Sequence, residues 1–369
     1  MNAVLHFSAP GRTEICGNHT DHQHGCVLAA AVNMETCAEV TPRTDGIVRV
    51  LSEGYAPFEL RLDELSVRES EHGKTSALVR GVAAAVAARG YALRGFEARV
   101  RSTVLPGSGL SSSAAFEVLM GRIFSSLSCG SALSPVEIAQ ISQYAENVYF
   151  GKPSGLMDQM ASSVGGLVYI DFADAQSPAV EKIDFRFSDC GYTLCTVDSG
   201  ADHADLTGEY AAIPQELSRI CGVFGKKYLR DVDEGEFYSR IPELRRAAGD
   251  RAVLRAMHIY DENRRVKTIV AALRRGDFDT FLRCVNESGV SSWHYLQNIT
   301  PAGAAEHQEM ALTLALAKRL LGGRGAVRVH GGGFAGTALA FVPDDMYSAF
   351  VDGMEGVLGR GCCHALRIV

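Results

Sequence analysis

Two carboxylates, Glu146 and Asp158, lie twelve residues apart and are of the type that phosphoryl transfer to a hydroxyl requires. The first comes late in a stretch with helical signals, and the second follows a break made by Gly151, Pro153 and Gly155. Because the two side chains leave consecutive elements, they can converge on one point. Asp158 suits the task of orienting the attacking hydroxyl or accepting its proton, and Glu146 suits that of binding Mg²⁺ beside the phosphates. The alternative is a solvated helix residue at 146 and a helix N-cap at 158.

A glycine turn followed by a run of serines is the second candidate, and it reads LPGSGLSSSAA from Leu105 to Ala115. Residues 96–104 alternate as a half-buried strand does, and residues 113–127 are apolar at helical spacing, so the turn joins a strand to a helix. The amides at a helix N-terminus bind anions, and glycine lets them approach a phosphate closely. The turn lacks the GKS or GKT ending of a Walker loop. An ordinary strand-to-helix connection with a serine cap is the alternative.

Two further glycine-rich segments carry groups that can contact a ligand. The segment APGRTEICGNHTDHQHG places Arg12, Asn18, His19 and Asp21 in a predicted loop. Its histidines also suggest a metal site, but their spacing is not that of common zinc ligands, so hydroxyl binding is favoured. The segment GAVRVHGGGFAGTALAFV, residues 325–342, predicts two strands around three glycines, whose bare backbone can accept a ligand or the phosphate turn. A hairpin with nothing bound is the alternative.

The elements that position these residues are mixed strands and helices without a strict alternation of βαβ units. Strands are predicted at 46–51, 96–104, 166–171, 192–198, 326–330 and 337–342. Helices are predicted at 76–89, 134–150, 210–224, 251–275 and 306–321. The second helix has the clearest start, because Ser134 and Glu137 fit a capping box around Pro135. We predict an α+β fold, and at 369 residues we expect two lobes with a cleft.

Composition limits the class of protein. Hydrophobic residues make up 47% of the chain and charged residues 21%, as in globular proteins, and a net charge of −7 provides no attraction for nucleic acid or an anionic membrane. Neither a basic and apolar leader nor an apolar run of about 18 residues is found, so we expect a cytoplasmic protein. The ten cysteines form no CxxC pair and are expected to be reduced. We expect no nucleic-acid partner, no membrane partner, and a monomer or weak dimer.

Four of these segments, in this order, resemble the GHMP kinase superfamily and, within it, the galactokinases. The family patterns are GRxNLIGEHTDYxGG, GxGLSSSAA, AENxFxGxxxGxMDQ and MTGGGFGG. This chain has GRTEICGNHTDHQHG, GSGLSSSAA, AENVYFGKPSGLMDQ and VHGGGFAG. The stretch SGADHADLTGEY also resembles the family's sugar-contacting segment, which ends in a tyrosine, here Tyr210. The resemblance spans nearly the whole chain.

The resemblance implies a two-lobed GHMP kinase fold, with a ribosomal-protein-S5-like lobe at residues 1–185 and a ferredoxin-like lobe at residues 186–369. It implies ATP-dependent phosphorylation of galactose at the anomeric hydroxyl, with Asp158 as catalytic base, Arg12 beside it, and Mg²⁺ on Ser113 and Glu146. ATP would be bound by Gly107, Ser108, Gly109, Leu110, Ser111, Ser112 and Ser113. The sugar would be bound by Arg12, Asn18, His19, Thr20, Asp21, Asp158 and Tyr210.

Several departures from the family pattern lie around the sugar segment. Asn18 stands where galactokinases have glutamate, which exchanges a charged acceptor for a neutral group that can also donate. His22 replaces a tyrosine, His330 a threonine, and Asp202 stands where arginine is common. The alternatives are therefore a 1-kinase for an amino sugar, a uronic acid or arabinose and, from another class, a non-catalytic sensor of sugar and ATP. The intact phosphoryl-transfer residues favour an enzyme.

Overall fold

The first sheet is organised by two long N-terminal strands that the sequence patterns do not predict. The computed structural model describes residues 3–104, 109–201 and 206–369. In it, β1 (Leu5–Cys16) pairs antiparallel with β2 (Cys26–Arg43). Residues 26–32 of β2 are buried without alternation, because helices cover this half of the strand on both sides. A continuous apolar run gives no period by which a strand can be recognised.

Shorter strands complete this seven-stranded sheet, whose main path runs β4-β3-β5-β2-β6-β7, with β1 paired to β2 beside it. They are β3 (Ile47–Ser52), β4 (Phe58–Arg61), β5 (Gly95–Ser102), β6 (Leu167–Asp171) and β7 (Ala179–Ile183). The helices packed with them are α1 (Thr75–Ala87), α2 (Ser112–Cys129), α3 (Pro135–Tyr144) and α4 (Met157–Val164). The predicted helix 134–150 starts at the expected capping box but ends in a π-helical turn, Ala145–Phe150.

The second sheet has four antiparallel strands in the order β11-β8-β10-β9. They are β8 (Tyr192–Asp198), β9 (Ala326–Val329), β10 (Thr337–Pro343) and β11 (Cys363–Leu366). The helices of this part are α5 (Thr207–Val223), α6 (Glu234–Ser239), α7 (Ile241–Ala248), α8 (Asp250–Arg274), α9 (Phe278–Ser291), α10 (Glu309–Leu321) and α11 (Tyr347–Leu358). The α+β prediction is confirmed, and the predicted strands lie within about two residues of observed ones.

One hydrophobic cluster joins the two sheets. It contains Ile15 and Leu28 from the first sheet, Phe341 from the second, and Val266 and Phe281 from the helices between them. The proposed lobe boundary after residue 185 falls between β7 and β8, and it stays a prediction. Among the described residues, no helix combines the length and apolarity needed to cross a membrane.

Candidate active site

A bidentate ion pair between Arg12 and Asp158 forms the centre of the site. Arg12 Nε lies 2.6 Å from Asp158 Oδ1, and Arg12 Nη2 lies 2.5 Å from Oδ2. The sequence interpretation that Arg12 lies in a loop is wrong, because it is part of strand β1 and therefore held on a rigid element. Asp158 is in the first turn of α4, where the helix dipole favours a negative charge. The Arg12 side chain is 8% exposed and that of Asp158 is 27% exposed, so a ligand can reach the carboxylate.

Charge and burial compete at Asp158. Burial opposes its ionisation, but the Arg12 guanidinium and a hydrogen bond from Ser111 together lower the pKa of the Asp158 carboxyl. Ser111 Oγ donates to Asp158 Oδ2 at 2.7 Å. The carboxylate is therefore ionised at neutral pH, with both oxygens oriented.

Arg12 also fixes the phosphate turn. Its guanidinium donates to the carbonyl of Gly109, and its amide donates to Leu110 O at 3.0 Å. A side chain at Gly11 would meet Leu110 O at 2.9 Å, so glycine is what allows β1 to approach the turn this closely. Helix α2 begins at Ser112, after Ser111 in a left-handed conformation without a side-chain cap, so its first amides face the turn uncapped. Gly107 and Ser108 lie outside the described residues.

The interpretation of Glu146 as a solvated helix residue is wrong, because its side chain is 3% exposed and lies in a polar cluster. Ser113 Oγ is 3.2 Å and Lys152 Nζ 3.0 Å from Glu146 Oε1. Ser154 Oγ and Gln159 Nε2 lie 2.5 and 2.8 Å from Oε2. The π-helical turn carries Glu146, and such turns are often found at functional sites. Lys152, Ser154 and Gln159 are not among the predicted site residues, although all three belong to the same quoted segment, AENVYFGKPSGLMDQ.

The predicted magnesium residues fit a hard cation. A carboxylate oxygen and a hydroxyl oxygen, from Glu146 and Ser113, face each other, and Mg²⁺ prefers such ligands together with phosphate oxygens. Lys152 contacts the same Glu146 oxygen, so a bound cation would share or replace that contact. In the described ranges, no three His, Cys, Asp or Glu side chains gather as a metal site.

The turn after β1 brings the predicted sugar residues toward the segment that leads into α4, the helix that carries Asp158. A side chain at Gly155 would collide with Asp21 Oδ2, so Asp21 lies directly against the segment that leads into α4. The Thr20 hydroxyl is buried and bonds the carbonyls of Gly17 and Cys26, at 2.8 and 2.6 Å, so it shapes the turn. Residues 19 and 24 both have positive φ, which closes the turn tightly.

The three consecutive glycines receive this turn on their exposed backbone. Asn18 Nδ2 donates to Gly331 O at 2.6 Å, and His19 Nε2 lies 3.1 Å from Gly332 O. Tyr210 donates its hydroxyl to Gly333 O at 2.9 Å, and its ring covers Gly332. The prediction was that a ligand or the phosphate turn packs on these glycines, but in the structure the turn after β1 and Tyr210 contact them instead.

His330 and Thr337 approach the phosphate turn. His330 Nδ1 and Thr337 Oγ1 would lie 2.8 and 2.9 Å from a Cβ at Gly109. Burial lowers the pKa of His330, so the ring is neutral. Its Nε2 accepts from the amide of Glu14 at 3.3 Å and therefore its Nδ1 donates to Thr337. Asp202, another departure from the family pattern, lies outside the described residues.

The second half of the chain supplies a support that sequence reasoning missed. Glu262, on α8, accepts the amides of Gly17 and Asn18 at 3.0 and 3.3 Å. His258, one turn earlier, bonds the carbonyl of Asn18 at 3.0 Å, and Arg265 pairs with Glu262 at 2.7 Å. Gly17 and Asn18, which Glu262 and His258 contact, are more than 200 residues away along the chain, so sequence spacing gave no signal of these contacts. Two charged residues and a histidine on the buried face of a long helix were the available clue.

The fold and the site together define a small-molecule kinase of the GHMP type. The family model "GHMP kinases N terminal domain" matches residues 77–166, and "Galactokinase galactose-binding signature" matches residues 2–42. A galactokinase of Actinobacillus pleuropneumoniae serotype 3 is 33% identical over 91% of this chain and 85% of its own length. That of Streptomyces coelicolor is 31% identical over 98% and 90%.

Solved structures of related kinases have the same fold as this chain. Lactococcus lactis galactokinase complexed with galactose superimposes with a TM-score of 0.83 and 26% identity, over 99% of this chain and 93% of that one. Methanococcus jannaschii mevalonate kinase, at 13% identity and a TM-score of 0.69 over 100% and 99%, shares the fold. The chain belongs to the galactokinase family, and it is a sugar kinase, a phosphotransferase.

Proposed function

We propose that the chain transfers the γ-phosphoryl group of ATP to the anomeric hydroxyl of galactose, giving galactose 1-phosphate and ADP. The observation that carries this proposal is the Arg12–Asp158 pair, which lies between the phosphate turn and the turn that bears Asp21. A carboxylate at that point faces both the acceptor hydroxyl and the terminal phosphate. The galactokinase relatives and the galactose-bound neighbour support the choice of sugar.

Asp158 orients the acceptor and receives its proton. Because its pKa is lowered, it is a weak base at neutral pH, and it acts mainly by holding the hydroxyl in line with the phosphorus. In a loose transition state the oxygen loses its proton as its bond to phosphorus forms, so a weak, well-placed base is sufficient. Arg12 then stabilises negative charge on the transferring group.

The nucleotide is bound by the turn from Gly107 to Ser113 and by the first amides of α2. Ser113 and Glu146 are the residues that would hold Mg²⁺, which offsets the charge of the phosphates when bound. Lys152 can contact phosphate oxygens from its position beside Glu146, because its side chain is 59% exposed.

Sugar hydroxyls meet the turn at His19 and Asp21. Burial lowers the pKa of His19 to about 3, so the ring is neutral. It must then donate from Nε2 to the Gly332 carbonyl, which leaves Nδ1 as an acceptor for a hydroxyl. Asp21 supplies a second acceptor, and Tyr210 shapes the opposite wall with its ring.

The direct test is incubation with galactose, ATP and Mg²⁺, with sugar 1-phosphate detected by ³¹P NMR. Asp158→Asn should lower kcat/KM by about 10³-fold while ATP binding persists. Asp174→Asn, an exposed aspartate, is the matched control and should be fully active. A panel of galactosamine, galacturonic acid and arabinose corrects the substrate if one of these is turned over instead. Binding of sugar and ATP without any turnover would identify a sensor.

We also propose a cytoplasmic location and a monomer or weak dimer. Fractionation of cells and sedimentation at several protein concentrations test the two proposals. Recovery in the membrane fraction, or a tight dimer at nanomolar concentration, would contradict them.

A further inference from the structure

Two side chains in the sugar segment have exchanged places relative to the family pattern. In GRxNLIGEHTDYxGG the asparagine aligns with Glu14 and the glutamate with Asn18. In the structure these two side chains are bonded to each other, with Asn18 Nδ2 at 3.2 and 3.4 Å from the two oxygens of Glu14. Both are buried, at 3% and 0% exposure. One carboxylate and one amide therefore share one enclosed space.

The amide of Asn18 is fully used inside the protein. Its nitrogen donates to Glu14 and to Gly331 O, and its oxygen accepts from Asn298 Nδ2 at 2.8 Å and Ser292 Oγ at 3.4 Å. Because an amide has two donor hydrogens and two acceptor sites, nothing is left for a sugar hydroxyl. Asn18 therefore acts from behind the pocket and does not line it.

The carboxylate of Glu14 is matched by a cation from the second sheet. Arg328 Nη2 lies 2.6 Å from Glu14 Oε1, and Arg328 Nη1 donates to Ile15 O at 3.0 Å. The Arg328 side chain is 0% exposed and permanently charged. Removing its carboxylate would leave a buried charge without a partner, which is among the costliest single changes in a protein.

We propose that Glu14 and Asn18 are positioning residues that work as one unit: Glu14 neutralises Arg328, and Asn18 holds the His19–Asp21 turn on the glycine backbone. This inference rests on the proposed function, since the turn is assigned to sugar binding. Sugar recognition at the turn then depends on His19 and Asp21, and position 18 controls it indirectly.

Restoring the family glutamate at position 18 alone is expected to fail. In Asn18→Glu a second carboxylate would face that of Glu14 and the carbonyl of Gly331, with no hydrogen to donate to either. Glu14→Asn would leave Arg328 unpaired. The double exchange keeps one carboxylate and one amide in the same space.

A double-mutant cycle tests the unit. Each single variant should lower kcat/KM for galactose by about 100-fold or more, mainly through the sugar KM, with the ATP KM unchanged. The double variant Glu14→Asn, Asn18→Glu should lie within about tenfold of the parent, because the pair is coupled. Glu181→Asn, which breaks an exposed ion pair with Arg274, is the control and should change neither constant. The isosteric set Glu14→Gln, Asn18→Asp and their combination repeats the cycle without changing side-chain size.

Thermal unfolding of the same variants gives a readout that does not need turnover. If no sugar is phosphorylated by the parent, the proposed function fails, while non-additive melting temperatures still demonstrate the coupled unit. Additive losses in both kinetics and melting temperature would overturn the inference. So would an Asn18→Glu variant that is faster on galactose and as stable as the parent, because position 18 would then contact the sugar directly.

Discussion

Replacing Arg12 with glutamine removes the guanidinium that pairs with Asp158 and braces the phosphate turn. The change deletes two hydrogen bonds to Asp158, at 2.6 and 2.5 Å, and one to Gly109. Breaking a buried ion pair from one side costs about 3–5 kcal/mol, and the partial exposure of Asp158 favours the lower value. For a chain of 369 residues the entropy of unfolding is about 0.8 kcal/mol/K, so the melting temperature should fall by about 4 °C.

The catalytic rate of Arg12→Gln should fall by much more than its small loss of stability would cause. An arginine that stabilises the transferring phosphoryl group contributes about 10³-fold or more to the rate, and that contribution is absent from the ground state. The acid limb of the pH profile should also move. Burial and the loss of the cation both favour the neutral acid, so the pKa of Asp158 rises in the variant. A smaller fraction is then ionised at low pH, and kcat/KM should decline at a higher pH than in the parent.

The assay is kcat/KM for galactose from pH 3 to 8, a range that reaches below the ordinary pKa of an aspartate, with the melting temperature of each variant measured alongside. Arg122→Gln is the matched control, because Arg122 donates to the backbone carbonyls of Ser8, Ser162 and Ser163. It should lower the melting temperature and leave the acid limb in place. If Arg12→Gln keeps the parent's acid limb, Arg12 does not set the ionisation of the group that limits the rate, and the assignment of Asp158 as base is refuted.

Three further substitutions test the metal site, the sugar wall and the support from α8. Glu146→Gln should raise the Mg²⁺ concentration needed for half-maximal rate by at least about tenfold, because losing even a residue that only supports a metal ligand lowers metal affinity by about 10- to 100-fold. An unchanged Mg²⁺ titration contradicts this assignment. Gly332→Ala should raise the sugar KM and spare the ATP KM, because its Cβ would press on the Tyr210 ring at 2.8 Å; equal effects on both constants would indicate general damage. Burial opposes ionisation of Glu262, but Arg265 and nearby cations outweigh it and lower its pKa. Its charge therefore stabilises the fold above its ordinary pKa of 4.5, and this stabilisation is lost as the solution becomes more acidic. Glu262→Gln should melt about 4 °C lower than the parent at pH 7, and the difference in melting temperature should shrink below pH 4.5. A difference independent of pH would exclude this account.

Parts of the fold were predictable because they follow local rules. The capping box at Ser134 predicted the start of α3, and the β-branched and aromatic residues at 192–198 predicted a strand with the bounds that the structure has. Strand β2 was missed because its first half is buried on both faces and shows no alternation. Strand β1 was missed because Pro10 and Gly11 are typical of turns, although here they form an irregularity where the phosphate turn approaches.

The candidate site divides in the same way. Asp158 and Glu146 were predicted from their residue type and spacing, and Arg12 and Ser113 from the family resemblance; the structure brings the four together in two pairs. What the segments do not contain is the environment of each group. Lys152 beside Glu146 was within the quoted segment, but a lysine next to a glycine and a proline is typical of exposed loops, and its ion pair depends on how the loop folds back.

The sugar turn shows why residue identity at one position does not define specificity. From the sequence alone, Asn18 means that the pocket lacks the glutamate of the family pattern, and the simplest expectation is that the enzyme prefers a different sugar. In the structure the carboxylate of this pair is at Glu14, where it is bonded to Arg328. The backbone of Asn18 is bonded to Glu262 and His258. Each of these partners is at least 240 residues away except Glu14, so the role of Asn18 is decided by the packing of the two sheets. A change of sugar preference therefore requires compensating changes on both sides of that packing, and a single substitution in the turn will disturb the position of His19 before it alters what the pocket recognises.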